Sequence, residues 1–142
     1  MKTIVLISCC GPKLKVRSRA KDIYISTRFK YSLQYAKRLK PNNILILSSK
    51  YGLLNMYKEI EPYDETLNTK SVLDIIRWST NIVLELRKVA DLQNDLFIFL
   101  AGIKYRKYVL PYIKNYRIPL KGLKIGQQLK KLKLDVSGHA PV

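Results

Sequence analysis

Three short apolar runs, each ending in small or polar residues, constrain what this chain can fold into. They are Thr3–Ser8, Ile44–Leu47 and Asp95–Gly102. Their length and their content of branched and aromatic side chains are typical of buried strands. Segments with helical spacing separate them. Because strands that alternate with helices pair in parallel, the pattern predicts a three-layer α/β domain with a short, mostly parallel sheet flanked by helices.

Apolar spacing also predicts where the helices lie. Thr27–Leu39 and Thr69–Val89 carry the clearest helical patterns, and Lys104–Asn115 is predicted as a helix that Pro111 bends or restarts. Gly122–Leu134 ends the ordered body, with an apolar stripe opposite its lysines. Residues 1–134 are therefore predicted to form a single domain, and residues 135–142 a tail that frays.

The composition supports a folded domain outside the membrane. The chain has 142 residues, of which 47% are hydrophobic, so it can bury a core without disulfides or metal and is not intrinsically disordered. The longest apolar stretch, Leu96 to Ile103, is well short of the roughly 20 residues that span a bilayer. We therefore expect no membrane association.

The cysteines indicate the compartment and exclude a common metal site. The two cysteines, Cys9 and Cys10, are adjacent, and adjacent cysteines cannot form an ordinary structural disulfide. This favours a cytoplasmic protein with free thiols. Together with the single His139 they do not match zinc-ligand spacing, and no phosphate-binding glycine-lysine loop of the nucleoside triphosphatase type is present. We predict no metal and no cofactor.

Positive charge is concentrated in two blocks. The formal net charge is +17; residues 11–50 hold eleven Lys and Arg against one acid, and residues 104–133 hold ten against none. The segment between them, residues 51–103, holds five against eight acids. Two basic blocks around a slightly acidic middle favour a nucleic-acid partner, DNA or RNA. The alternative is that the lysines only keep the surface soluble.

A candidate site follows from the strand ends. Ligands of open parallel sheets bind beyond the carboxyl ends of the strands, where small and polar residues follow each apolar run here. Four of the ten acids follow the second run closely: Glu59, Glu61, Asp64 and Glu65. Such carboxylates can act as a general base or stabilise a cationic transition state. The alternative is a solvated loop that pairs with the protein's own lysines.

Tyrosines are interspersed among the cations. The chain has ten, and an aromatic face beside a cation suits base stacking with phosphate contact. About half are expected to pack in the core instead. Tyr51, Tyr63 and Tyr105 are the tyrosines we favour for binding.

Six strings of the sequence resemble known domains: S-C-C-G-P-K, A-K-D-I-Y-I-S-T-R-F, I-L-S-S-K-Y-G-L-L, E-P-Y-D-E-T-L, L-A-G-x-x-Y and G-L-K-I-G-Q-Q-L. Over Ser8 to Leu129 the chain resembles a family of small uncharacterised bacterial, archaeal and viral domains. Its middle part is also similar to a segment of archaeosine synthase and tRNA-guanine transglycosylase relatives, in a domain that resembles uracil-DNA glycosylases. The resemblance implies a three-layer α/β domain that binds or processes a nucleobase.

The resemblance also implies a set of site residues at the matching positions. The first two strings contribute Ser8, Cys9, Lys13, Asp22, Tyr24 and Ser26. The later strings contribute Ser49, Lys50, Tyr51, Gly52, Tyr63, Asp64, Gln127 and Gln128.

The leading hypothesis is an enzyme of the N-glycosidase type that processes a base in DNA or RNA. Asp64 or Glu61 orients water or stabilises positive charge, and Tyr51 or Tyr63 stacks the base. In addition, Lys13 and Lys50 hold phosphate. Gln127 or Gln128 reads a base edge. Two alternatives remain open: a noncatalytic DNA- or RNA-binding module, and a small-nucleotide hydrolase or transferase. Oligomeric state is not predicted.

Overall fold

The computed structural model describes residues 1–8 and 11–136. Its strands are β1 (Thr3–Ser8), β2 (Ser18–Arg19), β3 (Asn43–Ser48), β4 (Gly52–Asn55), β5 (Glu59–Ile60), β6 (Leu96–Leu100) and β7 (Asn115–Arg117). Its helices are α1 (Ala20–Ile23), α2 (Thr27–Arg38), α3 (Val72–Val89), α4 (Ile103–Arg106) and α5 (Ile125–Val136). Short 3-10 turns lie at Leu67–Thr69 and Leu110–Tyr112.

Five of the strands form one sheet in the order β4-β3-β1-β6-β7. β1 lies in the middle and pairs in parallel with both β3 and β6, β7 is parallel to β6, and only β4 is antiparallel. The remaining two strands, β2 and β5, form a small antiparallel pair. The predicted mostly parallel sheet of a single α/β fold is therefore confirmed.

The order of the strands reverses beside β1. The chain passes from β1 to β3 on one side and later returns to β6 on the other side. Because crossovers between parallel strands are right-handed, α2 and α3 cover opposite faces of the sheet. α5 packs beside α2. The gap between the carboxyl ends of β1 and β6 is therefore the switch point, where such sheets bind ligands.

Local sequence explains the two long helices. The Ser26 hydroxyl accepts a hydrogen bond from the Phe29 backbone N–H (3.1 Å) and caps α2, and Ser71 caps α3 in the same way through Asp74 (3.1 Å). Residues 4–8 of β1 and the aromatic side chains Phe97 and Phe99 of β6 are buried between the helical layers. No helix of the described residues is long and apolar enough to cross a membrane.

The predicted helix over Lys104–Asn115 is wrong in extent. α4 ends at Arg106, a 3-10 turn carries Pro111, and Asn115 already begins β7. Proline has no backbone N–H and its ring clashes with the carbonyl four residues earlier, so the helix cannot continue through it. The irregular path still buries Tyr105, Val109 and Ile113.

The last helix also differs from its prediction. α5 begins three residues after Gly122 and continues to Val136, so the first two residues of the predicted tail are helical. The rest of that tail lies outside the described residues.

Asp95, an acid that the sequence patterns did not single out, lies at the amino-terminal ends of the central strands, opposite the switch point. The Asp95 carboxylate accepts hydrogen bonds from the backbone N–H groups of Asp91 and Lys2, both at 2.8 Å. These hydrogen bonds, the one from Asp91 first, lower the pKa of Asp95. The carboxylate therefore ties the start of β1 to the start of β6, and both strands enter the sheet in register.

Candidate functional site

The main cavity lies at the switch point between β1 and β6. It has a volume of about 610 Å³. Ser8 at the end of β1 and Ala101 and Gly102 after β6 form its floor, while α4 and the start of α5 supply walls. The Gly102 N–H donates to the Ser8 hydroxyl at 3.4 Å and links the two strand ends. This space is called the switch-point cavity below.

The switch-point cavity is basic. Among the residues that the structure describes, its lining includes four cationic side chains and no carboxylate: Arg28, Lys104, Arg106 and Lys124. The apolar part of its lining includes Ile103, Ile118 and Leu123, together with the buried Phe99 and Leu120. Cations in a partly enclosed space of low dielectric attract anions more strongly than cations on an open surface. The cavity therefore suits a ligand with an anionic group and an apolar body.

Arg106 is the most constrained of these cations. It is partly buried, and one guanidinium nitrogen, Nη1, donates to the Ala101 carbonyl at 2.6 Å. Burial lowers the pKa of the guanidinium, although arginine remains charged at neutral pH. A guanidinium has five N–H donors, so the group that is held by Ala101 can still bind a phosphate or carboxylate.

The loop after the acidic segment closes another side of the cavity. Thr66 and Asn68 line it, and the Lys104 ammonium donates to the Asn68 carbonyl at 3.2 Å. The Tyr105 hydroxyl accepts from the Leu67 N–H at 3.4 Å. Tyr105 is buried and meets Trp78 edge-on, with ring centroids 5.5 Å apart. It lines the cavity, but most of its ring packs against neighbouring side chains.

The two predicted glutamines lie at the start of α5. Gln127 is exposed, and its side-chain oxygen accepts from the Lys124 N–H at 2.9 Å, which closes the first turn. Gln128 lines the switch-point cavity and donates through Nε2 to the Leu123 carbonyl at 2.9 Å. That hydrogen bond fixes the orientation of the amide. Its oxygen is shielded from water and has no hydrogen-bond partner among the described residues.

Several predicted site residues meet in a buried hydroxyl cluster instead. The hydroxyl groups of Tyr24 and Tyr63 are 2.7 Å apart, and that of Tyr63 is 2.8 Å from the Ser48 hydroxyl. The Ser48 hydroxyl also accepts from the Tyr51 N–H at 3.0 Å. Tyr24 is only 1% exposed, so neither face of its ring is accessible for stacking with a base. The second, third and fourth resembling strings are thus joined by structural contacts.

Ion pairs occupy most of the acidic loop. Glu59 and Glu61 both pair with Arg17, at 3.5 and 3.3 Å, and the hydrogen bond that Arg17 donates to Glu61 is the main reason that the pKa of Arg17 is raised. Glu65 pairs with Lys70 at 3.8 Å. These contacts are the ones expected of a loop that pairs with the protein's own cations.

Asp64 differs from its neighbours in the loop. Within the part of the chain that the structure describes, its carboxylate has no ion pair. It lines a hollow of about 270 Å³ together with Lys13 and Tyr63. The Lys13 ammonium lies 4.5 Å from the centroid of the Tyr63 ring, a distance at which cation and ring attract each other. Gly11 lines both this hollow and the switch-point cavity, so Asp64 lies beside the cavity.

The remaining predicted residues lie elsewhere. Lys50, Tyr51 and Gly52 line a separate hollow of about 370 Å³ against α3. The Tyr51 hydroxyl accepts from the Glu61 N–H at 3.2 Å. The other residues are placed as follows: Ser49 donates to the Glu65 carbonyl, Asp22 is exposed beside Lys21, and Cys9 lies outside the described residues.

Of the predicted set, the structure brings Ser8, Tyr105 and Gln128 to the switch-point cavity, and it adds cations that motif reasoning did not assign to the site. Arg28, Lys104, Arg106 and Lys124 belong to the two basic blocks, which indicated charge but not position. Signals were available: Arg28 and Lys124 lie within the second and the last of the resembling strings, and Arg106 directly follows the L-A-G-x-x-Y string. Among the described residues, no group of three His, Cys, Asp or Glu side chains could hold a metal ion.

Fold and cavity together define a three-layer α/β domain with a basic cavity at its switch point. The chain belongs to DUF6884, a family of unknown function, whose model matches residues 4–134. No curated protein and no solved structure matches the chain significantly.

Proposed function

We propose that this protein binds a nucleic acid and takes one of its nucleotides into the switch-point cavity. The observation that carries the proposal is the ring of Arg28, Lys104, Arg106 and Lys124 around a cavity of about 610 Å³ whose described lining contains no carboxylate. Cavities of this size hold ligands the size of a nucleotide. The cations match the phosphate, and Arg106 can bind it in a bidentate manner.

The other lining residues match the base and sugar. Ile103, Ile118 and Leu123, which are not buried, provide an apolar surface for a planar ring, and Ser8, Asn68 and Gln128 provide polar groups for its edges. The net charge of +17 attracts a polymer more strongly than a mononucleotide. The resemblance to a glycosylase-like domain supports the same ligand, since such domains take a single extruded base into a pocket.

Binding of small ligands tests the cavity directly. We expect a nucleoside 5′-monophosphate to bind at least about tenfold more tightly than the same nucleoside without phosphate, because one charge-assisted phosphate contact contributes about 1.5 kcal/mol or more. Isothermal titration calorimetry at low salt measures both. Equal affinities for nucleoside and nucleotide would remove the basis of the proposal. Tighter binding of free nucleotides than of oligonucleotides would favour the small-nucleotide hydrolase or transferase.

Base cleavage is a second candidate function, and Asp64 is the observation that favours it. It is the carboxylate of the acidic loop without an ion pair in the described structure, and it lies across Gly11 from the cavity. In such a reaction the oxygen of a water molecule bonds to the sugar C1′, and the N-glycosidic bond breaks. The electron pair of that bond leaves with the base, which takes up the proton that the water loses. Asp64 would orient the water or stabilise positive charge on the sugar.

The cleavage candidate is tested by release of free base from oligonucleotides with normal and modified bases. We expect Asp64→Asn to slow release by roughly 100-fold or more, while oligonucleotide affinity changes less than about threefold. Glu65→Gln is the matched control, because that carboxylate is paired with Lys70; its rate should remain near that of the unaltered protein. If the unaltered protein releases no base, the domain is a noncatalytic binding module.

A further inference from the structure

A row of exposed cations continues from the switch-point cavity across two helices. α2 and α5 pack side by side. Six exposed cationic side chains on these helices are called the basic face below: Lys30, Lys37, Arg38, Lys130, Lys131 and Lys133. On α2 they follow helical spacing opposite the buried Phe29, Ser32 and Ala36, so they share the outward side.

Both helices begin at the cavity. Arg28 in the first turn of α2 lines it, as do Lys124 just before α5 and Gln128 in its first turn. The amino-terminal ends of both helices therefore lie at the cavity. Each has 12 residues, which corresponds to a length of about 18 Å at 1.5 Å per residue. The basic face extends over that distance from the rim of the cavity.

The charge of this face is not compensated. The ion pairs of the described residues involve Arg17, Lys21, Lys70 and Arg77, and none involves the basic face. α2 contains no acidic residue and α5 contains one, Asp135, whereas α3 on the opposite layer mixes Asp74 and Glu85 with its cations. A surface that served solubility alone would mix both signs.

We propose that the basic face binds the phosphate backbone that flanks the nucleotide in the cavity. This inference rests on the proposed function. It adds the path that the strand follows on the protein and the number of nucleotides that the protein contacts. At about 3.4 Å per nucleotide along a stacked strand, 18 Å accommodates roughly five nucleotides. An anionic membrane is a poorer match, because the large hydrophobic side chains exposed on the described surface include none within α2, and at its carboxyl end Leu39 alone.

Two variants with equal net charge separate a local path from general attraction. The first carries Lys30→Gln, Lys37→Gln, Lys130→Gln and Lys133→Gln. The control carries Lys58→Gln, Arg87→Gln, Lys88→Gln and Lys114→Gln, which are exposed residues outside α2 and α5. Each variant lowers the charge of +17 by four, so any difference in binding reports where the charges lie.

We expect the first variant to bind a ten-nucleotide strand on the order of 100-fold more weakly at 0.1 M salt. The slope of log affinity against log salt should fall by about 0.7 per lost contact on a single strand, or 0.9 on a duplex. The control should change affinity less than about threefold. For the unaltered protein, affinity should rise with strand length up to roughly six nucleotides, since the cavity takes one and the face about five.

Three outcomes would overturn the inference: equal losses in both variants, no loss in the first, or tighter binding to vesicles of anionic lipid than to any strand. Single-stranded and duplex ligands are measured in parallel to decide which form the face binds. Binding of a mononucleotide should be unchanged in the first variant. If the mononucleotide does not bind at all while strand binding still depends on the face, the proposed cavity function fails and the basic face stands.

Discussion

Replacing Arg106 with alanine is expected to weaken nucleotide binding by about 30-fold. The guanidinium is partly buried, and Ala101 holds it at the cavity wall through a 2.6 Å hydrogen bond. A hydrogen bond to a charged group contributes roughly 1.5–3 kcal/mol, and about 2 kcal/mol corresponds to a 30-fold change in affinity. Calorimetric titration of a nucleoside 5′-monophosphate measures the effect.

The controls for Arg106 distinguish binding from folding. Lys107→Ala removes an exposed charge from the neighbouring position and should leave affinity within about twofold. Arg106→Lys keeps the charge but not the planar fork of donors, so we expect an intermediate loss. Urea midpoints show whether any variant is unfolded. An Arg106→Ala protein that is folded and binds like the unaltered chain would exclude the cavity as the phosphate site.

Part of this fold could be predicted from residues close in sequence. β1, β3 and β6 are central parallel strands covered on both faces, so their sequences are continuous apolar runs that stand out without an alignment. β4 and β7 are edge strands of four and three residues with exposed positions, and nothing in such short segments marks them as strands. Pro111 indicated that a helix over Lys104–Asn115 would be interrupted, but the apolar spacing favoured its continuation.

The site was predicted less well, because its members meet through long-range contacts. The rule for parallel sheets points to the strand ends at Ser8 and Gly102, and the structure has a cavity there. The acidic loop was a candidate catalytic segment because it lies just after β3, but Glu61 is paired with Arg17, 44 residues away in sequence. No local pattern shows such a partner. The cations of the cavity come from three separate segments, and only the folded chain brings them together.

The serine and tyrosine residues of the resembling strings therefore have a structural explanation alongside the proposed functional one. The Tyr63 hydroxyl joins Tyr24, before α2, to Ser48, at the end of β3, and the Trp78 indole N–H donates to the Ser48 carbonyl at 2.9 Å. This cluster fixes the loop that carries Asp64 against the sheet. The motifs thus hold the candidate carboxylate in place even where their own side chains are buried.

Replacing Tyr63 with phenylalanine is expected to lower the free energy of unfolding by about 2 kcal/mol, because the buried hydroxyl groups of Tyr24 and Ser48 both lose a partner. Urea denaturation followed by fluorescence measures the change. Tyr57→Phe is the matched control: Tyr57 is 60% exposed, and its replacement should change stability by less than about 0.5 kcal/mol. Equal, small effects in both variants would mean that the hydroxyl cluster does not hold the loop, and the placement of Asp64 beside the cavity would lose its support.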